Sequence, residues 1–252
     1  MFQYCSDLHL EFSANWRWLQ KFPIEPVGEV LLLAGDTHHL GKTMCQHPFF
    51  DWVSDHFEQV FLIPGNHEFY GGFDAKVAME LEYEFMIRPN VTLVNNTTRT
   101  IGDTRIIFTT LWSKVVRYVL QVYRGMNDFH IINFDNQRLT IDKYNELFDF
   151  SFTFLKEALA IPYEGKTIVV THHLPSDHCN LMKYRNSIIN EGFCTDLTDF
   201  ILDCNADYWI YGHSHGNKDA FTIGATKMLT NQLGYVEMGE QMRFDRARVI
   251  DS

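Results

Sequence analysis

The 252-residue sequence predicts an α/β fold with a largely parallel inner sheet, on two observations. Short β-rich runs alternate with longer segments of helical spacing through the first half of the chain, which is the pattern of βαβ units. Five apolar runs also empty straight into short polar motifs: Asp7-Leu8-His9, Gly35-Asp36, Gly65-Asn66-His67-Glu68, His172-His173 and Gly212-His213-Ser214-His215. Open α/β sheets keep their chemistry at strand ends, so the placement of these motifs points to the same architecture.

In chain order, strands are expected near 1 to 6, 30 to 34 and 60 to 63, with helices around 47 to 58 and 74 to 87. Residues 90 to 94 and 99 to 110 read as strands, the latter turning at Gly102-Asp103. Residues 112 to 138 show no clean period and read as a partly helical, lid-like excursion over a site. From Thr140 the spacing of Ile141, Tyr144, Phe148, Phe152, Leu155 and Leu159 predicts a long helix, capped by Thr140 and ended by Pro162 and Gly165. A strand at 167 to 171, a helix around 195 to 204, a strand at 207 to 211 and strands around 219 to 223, 226 to 231 and 242 to 250 complete the chain. The polar strand ends run from residue 7 to residue 215 and must converge, so residues 1 to 252 are expected to form one domain.

Composition narrows the function. An apolar fraction of 46% and a charged fraction of 21% belong to a globular protein. A net charge of -11 without any basic block argues against affinity for long DNA or RNA built on many phosphate contacts. The five cysteines form no CxxC pair, which fits reduced thiols in a cytoplasmic protein better than zinc fingers or a disulfide framework. No stretch is apolar and long enough to span a bilayer, and Met1-Phe2-Gln3-Tyr4 leads directly into the first motif, so neither membrane insertion nor a signal peptide is expected.

The motifs carry metal-ligand chemistry. In an extended chain residues i and i+2 face the same way, so Asp7 with His9, and His213 with His215, can each present two donors to one side. Asp36 follows an apolar strand and a glycine, where its carboxylate needs either a cation or a helix start to cap. Asn66 offers an amide oxygen, and His67 beside it points elsewhere. Jointly these mixed nitrogen and oxygen donors fit two adjacent divalent ions of the zinc, manganese or iron type. No G-x-S-x-G elbow or similar activated serine is present.

The ordered set of motifs resembles the calcineurin-like metallophosphoesterase superfamily over residues 7 to 215. Thr171-His172-His173-Leu174-Pro175-Ser176, Gly125-Met126-Asn127-Asp128-Phe129 and Asn231-Gln232-Leu233-Gly234-Tyr235 are similar to a less characterised bacterial branch, in which a proline usually stands where this chain has Gln232. The resemblance implies a four-layer α/β/β/α sandwich of two mixed β-sheets flanked by helices, with the metal site at the strand ends. It further implies that Asp7, His9 and His215 hold one ion, that Asn66, His172 and His213 hold the other, and that Asp36 bridges them. His67 would face the scissile phosphate, as the catalytic group that stabilises charge or protonates the leaving oxygen. The expected reaction is metal-dependent hydrolysis of a small phosphodiester or phosphomonoester, by in-line attack of a hydroxide shared by the two ions.

Two other readings use the same fold. A protein-interaction scaffold would be expected to have lost ligands, and here each ligand position is filled. A DNA nuclease would call for a basic groove, which the charge does not supply. Three residues of the excursion, Asn127, Asp128 and His130, are candidates to reach over the metals; Tyr70 is expected to pack, Glu68 to support the site from behind, and His173 to lie outside the ligand set or face substrate.

Overall fold

The computed structural model describes residues 1–250. The first sheet is built from β1 (Phe2–Cys5), β2 (Val30–Leu33), β3 (Gln59–Leu62), β4 (Tyr83–Arg88) and β5 (Val91–Asn95). Its spatial order is β1-β2-β3-β5-β4, parallel except for the antiparallel edge strand β4. The chain then forms the hairpin β6 (Thr97–Ile101) and β7 (Thr104–Phe108), a two-stranded ribbon of β8 (Asn133–Phe134) and β9 (Gln137–Arg138), and the strands β10 (Lys166–Val170), β11 (Tyr208–Ile210), β12 (Phe221–Ile223) and β13 (Thr226–Leu229). Six of these make the second sheet, ordered β12-β13-β11-β10-β7-β6, with a parallel centre and an antiparallel pair at each edge.

Strand alternation decides how the sheets stack. Val30 and Leu32 of the first sheet join Ile106, Phe108, Ile168, Val170 and Ile210 of the second in one buried layer between them. The intervening Leu31, Leu33, Val169 and Trp209 point to the outer faces. Helix α1 (Ser13–Lys21), α2 (Lys42–Gln46) and α3 (Pro48–His56) follow the first sheet's strands, and Phe49, Phe50 and Val53 of α3 bury against its outer face. On the other side, after α4 (Val119–Gly125) and α5 (Asp128–Ile131), comes α6 (Ile141–Ala160). It is tied to β7 by Arg105, whose guanidinium donates to the carbonyls of Ala158 and Ile161. A short α7 (Thr198–Asp203) precedes β11. Helix, sheet, sheet, helix is the layer order expected from the motifs.

Several local expectations hold and others are corrected. Thr140 caps α6, its hydroxyl accepting the Lys143 N–H at 3.3 Å. The helix expected at 74 to 87 is a 3-10 turn at Ala75–Met79 followed by β4, because Tyr83, Phe85 and Ile87 alternate with Glu84, Met86 and Arg88 at the period of a strand. Helix α1 was not expected; its short amphipathic run lies soon after the first motif, in a stretch to which the sequence assigned no element. The strand expected at 242 to 250 is instead a 3-10 turn at Glu240–Arg243 and an irregular tail, joined to β1 by the Tyr4 N–H to Arg248 and the Ile250 N–H to Phe2. The 112 to 138 excursion is partly helical, as expected, and comprises α4, α5 and the β8–β9 ribbon. Among the described residues no helix is long and apolar enough to cross a membrane.

Candidate metal centre

The ends of β1, β2 and β3 in one sheet, and of β10 and β11 in the other, bring all the polar motifs to one edge of the sandwich. The pairs do not converge by strand alternation, as the spacing predicted. Asp7, His9, Asp36, His213 and His215 all have positive φ, between 47° and 72°, and supply five of the twelve non-glycine residues in that region among the described residues. Such left-handed kinks are unfavourable and concentrate where function requires them. The same crowding accounts for Gly65, where a Cβ would overlap Asp36 Oδ1.

Three groups of donors result among the described residues: His9, Glu11 and His67 form one, and the other two share Asp36. Asp7, His9, Asp36 and His215 each place a ligand atom within 4.8 Å of the others, and so do Asp36, His172 and His213. Asp36 is common to both. Its Oδ1 accepts the backbone N–H of His67 at 2.9 Å, and its Oδ2 lies 3.3 Å from His172 Nε2 and 3.7 Å from His9 Nε2. Asp7 is held by the Ser6 hydroxyl at 2.5 Å and by the His213 N–H at 3.0 Å.

The imidazoles are fixed from behind. His172 Nδ1 donates to the Ala34 carbonyl at 2.9 Å, His9 Nδ1 to Glu11 at 3.0 Å and His215 Nδ1 to Glu240 at 2.9 Å. A carbonyl can only accept, so His172 carries its proton on Nδ1 and turns the Nε2 lone pair to the cluster. That lone pair meets His213 Nδ1 at 3.1 Å, while His9 and His215 oppose their Nε2 atoms at 2.9 Å. Where nitrogen lone pairs face each other and a carboxylate, a proton or a metal cation between them relieves the opposition. Burial opposes charge on His172, but Asp36 outweighs it and lifts the imidazole to about 10, the response of a site built for positive charge.

Asn66 joins the second group. Its Nδ2 donates to Asp128 Oδ1 at 2.9 Å, while its Oδ1 is buried without a hydrogen-bond partner and borders the same cavity as Asp36 and His213. An orphaned buried amide oxygen on a residue that shares its cavity with His213 and the common carboxylate fits a divalent ion. The residues present thus suit two divalent ions, with donors of the type chosen by zinc, manganese and iron.

His67 belongs to neither group of donors shared with Asp36. Its Nδ1 donates to Glu11 at 2.9 Å, its ring stacks on Tyr70 with centroids 4.2 Å apart, and its Nε2 lies 3.3 Å from the Tyr235 hydroxyl. Burial works against its charge, but Asp36 and Glu11 overcome it and raise the imidazole to about 9. Burial would raise Glu11, yet the hydrogen bonds from His67 and His9 bring it down to about 2. His173 is also apart: its Nε2 is 3.1 Å from the Tyr144 hydroxyl, its ring lies on His213 at 4.2 Å, and burial holds it neutral.

Glu68 has a definite task. Its carboxylate accepts the N–H groups of Asp36 at 3.0 Å, Thr37 at 2.7 Å and Gly65 at 2.6 Å, stapling the loops after β2 and β3 together. Burial and Asp36 push this carboxyl up, but both oxygens already accept backbone N–H groups, which is the geometry of the ionised form. Asp128 reaches the site as the excursion reading expected, whereas His130 is exposed and away from it. Tyr70, expected only to pack, also donates its hydroxyl to Asp128 at 2.5 Å. Glu11, Tyr235 and Glu240 were missed. Glu11 had a signal, because it continues the alternation Asp7, His9, Glu11, and so had Tyr235, which ends the motif Asn231-Gln232-Leu233-Gly234-Tyr235; Glu240 had none.

Comparison with known proteins agrees with this geometry. The model of the calcineurin-like phosphoesterase family matches residues 4–217. An uncharacterised protein of Acanthamoeba polyphaga mimivirus is 30% identical over 266 residues, covering 92% of this chain and 90% of its own. The crystal structure of phosphopantetheinyl hydrolase from Mycobacterium tuberculosis shares the fold, with a TM-score of 0.70 at 15% identity over 96% of this chain and 92% of that one. Matched over most of its length and carrying the ordered motifs at one sheet edge, the chain belongs to the calcineurin-like phosphoesterase family.

Proposed function

We propose that this protein hydrolyses a small phosphodiester or phosphomonoester, with Asp7, His9 and His215 holding one divalent ion, Asn66, His172 and His213 the other, and Asp36 between them. The observation that carries the reading is Asp36, which belongs to two donor groups and shares its cavity with Asn66, whose buried Oδ1 has no hydrogen-bond partner. Two such ions, when bound, supply a water of lowered pKa and clamp the phosphoryl oxygens for in-line displacement.

The chain's own residues do the rest. Glu11, Glu240 and the Ala34 carbonyl hold three imidazoles in the tautomer that ligates through Nε2. Asp128 turns the Asn66 amide so that its oxygen faces the cluster. His67 stays protonated through neutral pH beside Glu11, so it can stabilise phosphoryl charge and give its proton to the leaving oxygen. The five cysteines, all without a disulfide, support the reading of a cytoplasmic enzyme. The fold neighbour's action on a phosphopantetheinyl group makes that ester one member of the substrate panel.

The test is a comparison of manganese-loaded protein on para-nitrophenyl phosphate, its bis ester, cyclic and linear nucleotides and 4′-phosphopantetheine, with His67→Ala and chelated controls. Turnover should vanish on chelation and fall strongly in His67→Ala. Activity surviving both controls would sink the proposed site, and the ranking of substrates decides between monoester and diester.

A further inference from the structure

The cavity above the cluster holds about 340 Å³, room for a mid-sized organic group as well as a phosphate. Much of its wall comes from two segments outside the ligand motifs, the stretch from 125 to 128 and the stretch from 180 to 193. Their side chains are of two kinds. Asn127, Asn180, Ser187 and Asn190 present amides and a hydroxyl, while Met126, Ile189 and Phe193, with Leu174, present apolar surface. Asn180 Nδ2 donates to Asn190 Oδ1 at 2.5 Å, which leaves the Asn180 oxygen and the Asn190 amine to serve a further partner.

Among the described residues no lysine or arginine lines this cavity, whereas Asp128 and Glu240 do. The cations nearby serve elsewhere. Lys218 turns its ammonium to the backbone carbonyls of His178 and Asn180. Lys183 is exposed at the rim, where its charge acts on Glu240. A site for a second phosphate normally brings an arginine, a lysine or a row of backbone N–H groups to it.

We infer that the alcohol half of the ester is neutral, carries amide or hydroxyl groups alongside apolar carbon, and bears no second phosphate. The inference rests on the reading of the site as a phosphoester hydrolase and adds the chemical class of the substrate. A second anionic group in the cavity would meet Asp128 and Glu240 with no lysine or arginine in the lining and with His67 and the metal centre already committed to the first phosphate, in surroundings where like charges repel more strongly than in water. Amides in the ligand would instead pair with Asn180, Asn190 and Asn127.

The experiment measures inhibition constants against a reference reaction, hydrolysis of bis(para-nitrophenyl) phosphate by the metal-loaded protein. Three probes are neutral-armed monophosphates: 4′-phosphopantetheine, adenosine 5′-monophosphate and glucose 6-phosphate. Two are partners with one phosphate more: adenosine 3′,5′-bisphosphate and glucose 1,6-bisphosphate. Each bisphosphate should bind about 30-fold more weakly than its monophosphate, the size of an uncompensated like-charge contact at this depth. Asn127→Lys, which adds a cation to the wall, should narrow that gap. Bisphosphates that bind equally or more tightly overturn the inference, most directly if Lys183→Ala removes the advantage; so does a failure of all three monophosphates to compete. If the reference ester is not hydrolysed in a chelator-sensitive way, the underlying reading of the site fails instead.

Discussion

His67 and Glu11 are joined by a 2.9 Å hydrogen bond from Nδ1 to Oε1, and that same oxygen accepts Nδ1–H of His9 at 3.0 Å. One buried carboxylate thus orients a proposed metal ligand and the proposed acid together. Asp36 and, after it, this carboxylate keep His67 charged: the imidazole is raised to about 9, so its proton is held below that pH and lost as the pH rises through it.

Glu11→Gln removes the negative charge and lowers the His67 pKa. The alkaline limb of kcat should therefore move to lower pH, measured as a pH–rate profile at saturating manganese. Bound ions act on His67 in both proteins, so the difference between the two profiles carries the test. An unmoved limb would show that Glu11 does not set the protonation of His67.

Neighbouring residues of one turn are assigned different tasks. His67→Ala should lower kcat by about 10²- to 10⁴-fold while retaining both ions. Asn66→Ala should lose one ion per chain. Elemental analysis of the two purified variants distinguishes them, and equal metal loss in both would refute the division.

The Asp128 carboxylate accepts from both the Asn66 amide and the Tyr70 hydroxyl. Asp128→Asn can present an amine to that amine and release the Asn66 side chain. Affinity for one of the two ions should fall about 10- to 100-fold, the usual consequence of removing a partner behind a ligand. Titration of chelated protein with manganese reads this, and Tyr70→Phe should have the smaller effect.

Glu68 is a stability prediction. In Glu68→Gln a side-chain N–H₂ replaces an oxygen among backbone N–H donors from Asp36, Thr37 and Gly65. A buried donor facing donors costs about 1–3 kcal/mol. At this chain length a loss of 1 kcal/mol lowers Tm by about 2–4 °C, so a drop of several degrees is expected on thermal denaturation. A Tm equal to the parent protein's would mean that the two loops hold without this staple.

The central strands were legible because their apolar runs are buried on both faces, and a fully buried strand reads as an unbroken apolar stretch. The edge strand β4 was not, since Glu84 and Met86 face solvent and the run from Ala75 can be fitted to either period. Short elements such as α1 carry too few turns for periodicity to speak.

At the site, the sequence by itself placed the candidate donors. Asp7, His9, Asp36, Asn66, His172, His213 and His215 are polar residues that stand at the ends of apolar runs. Tertiary structure decided how they meet. The pairs converge through left-handed kinks rather than strand alternation, because the loops must turn back over the sheet edge within one or two residues. It also decided what stands behind them: Glu11, Asp128, Tyr235 and Glu240 come from separate segments, and a hydrogen bond spanning 62 positions, such as Asn66 to Asp128, leaves no local trace in a sequence.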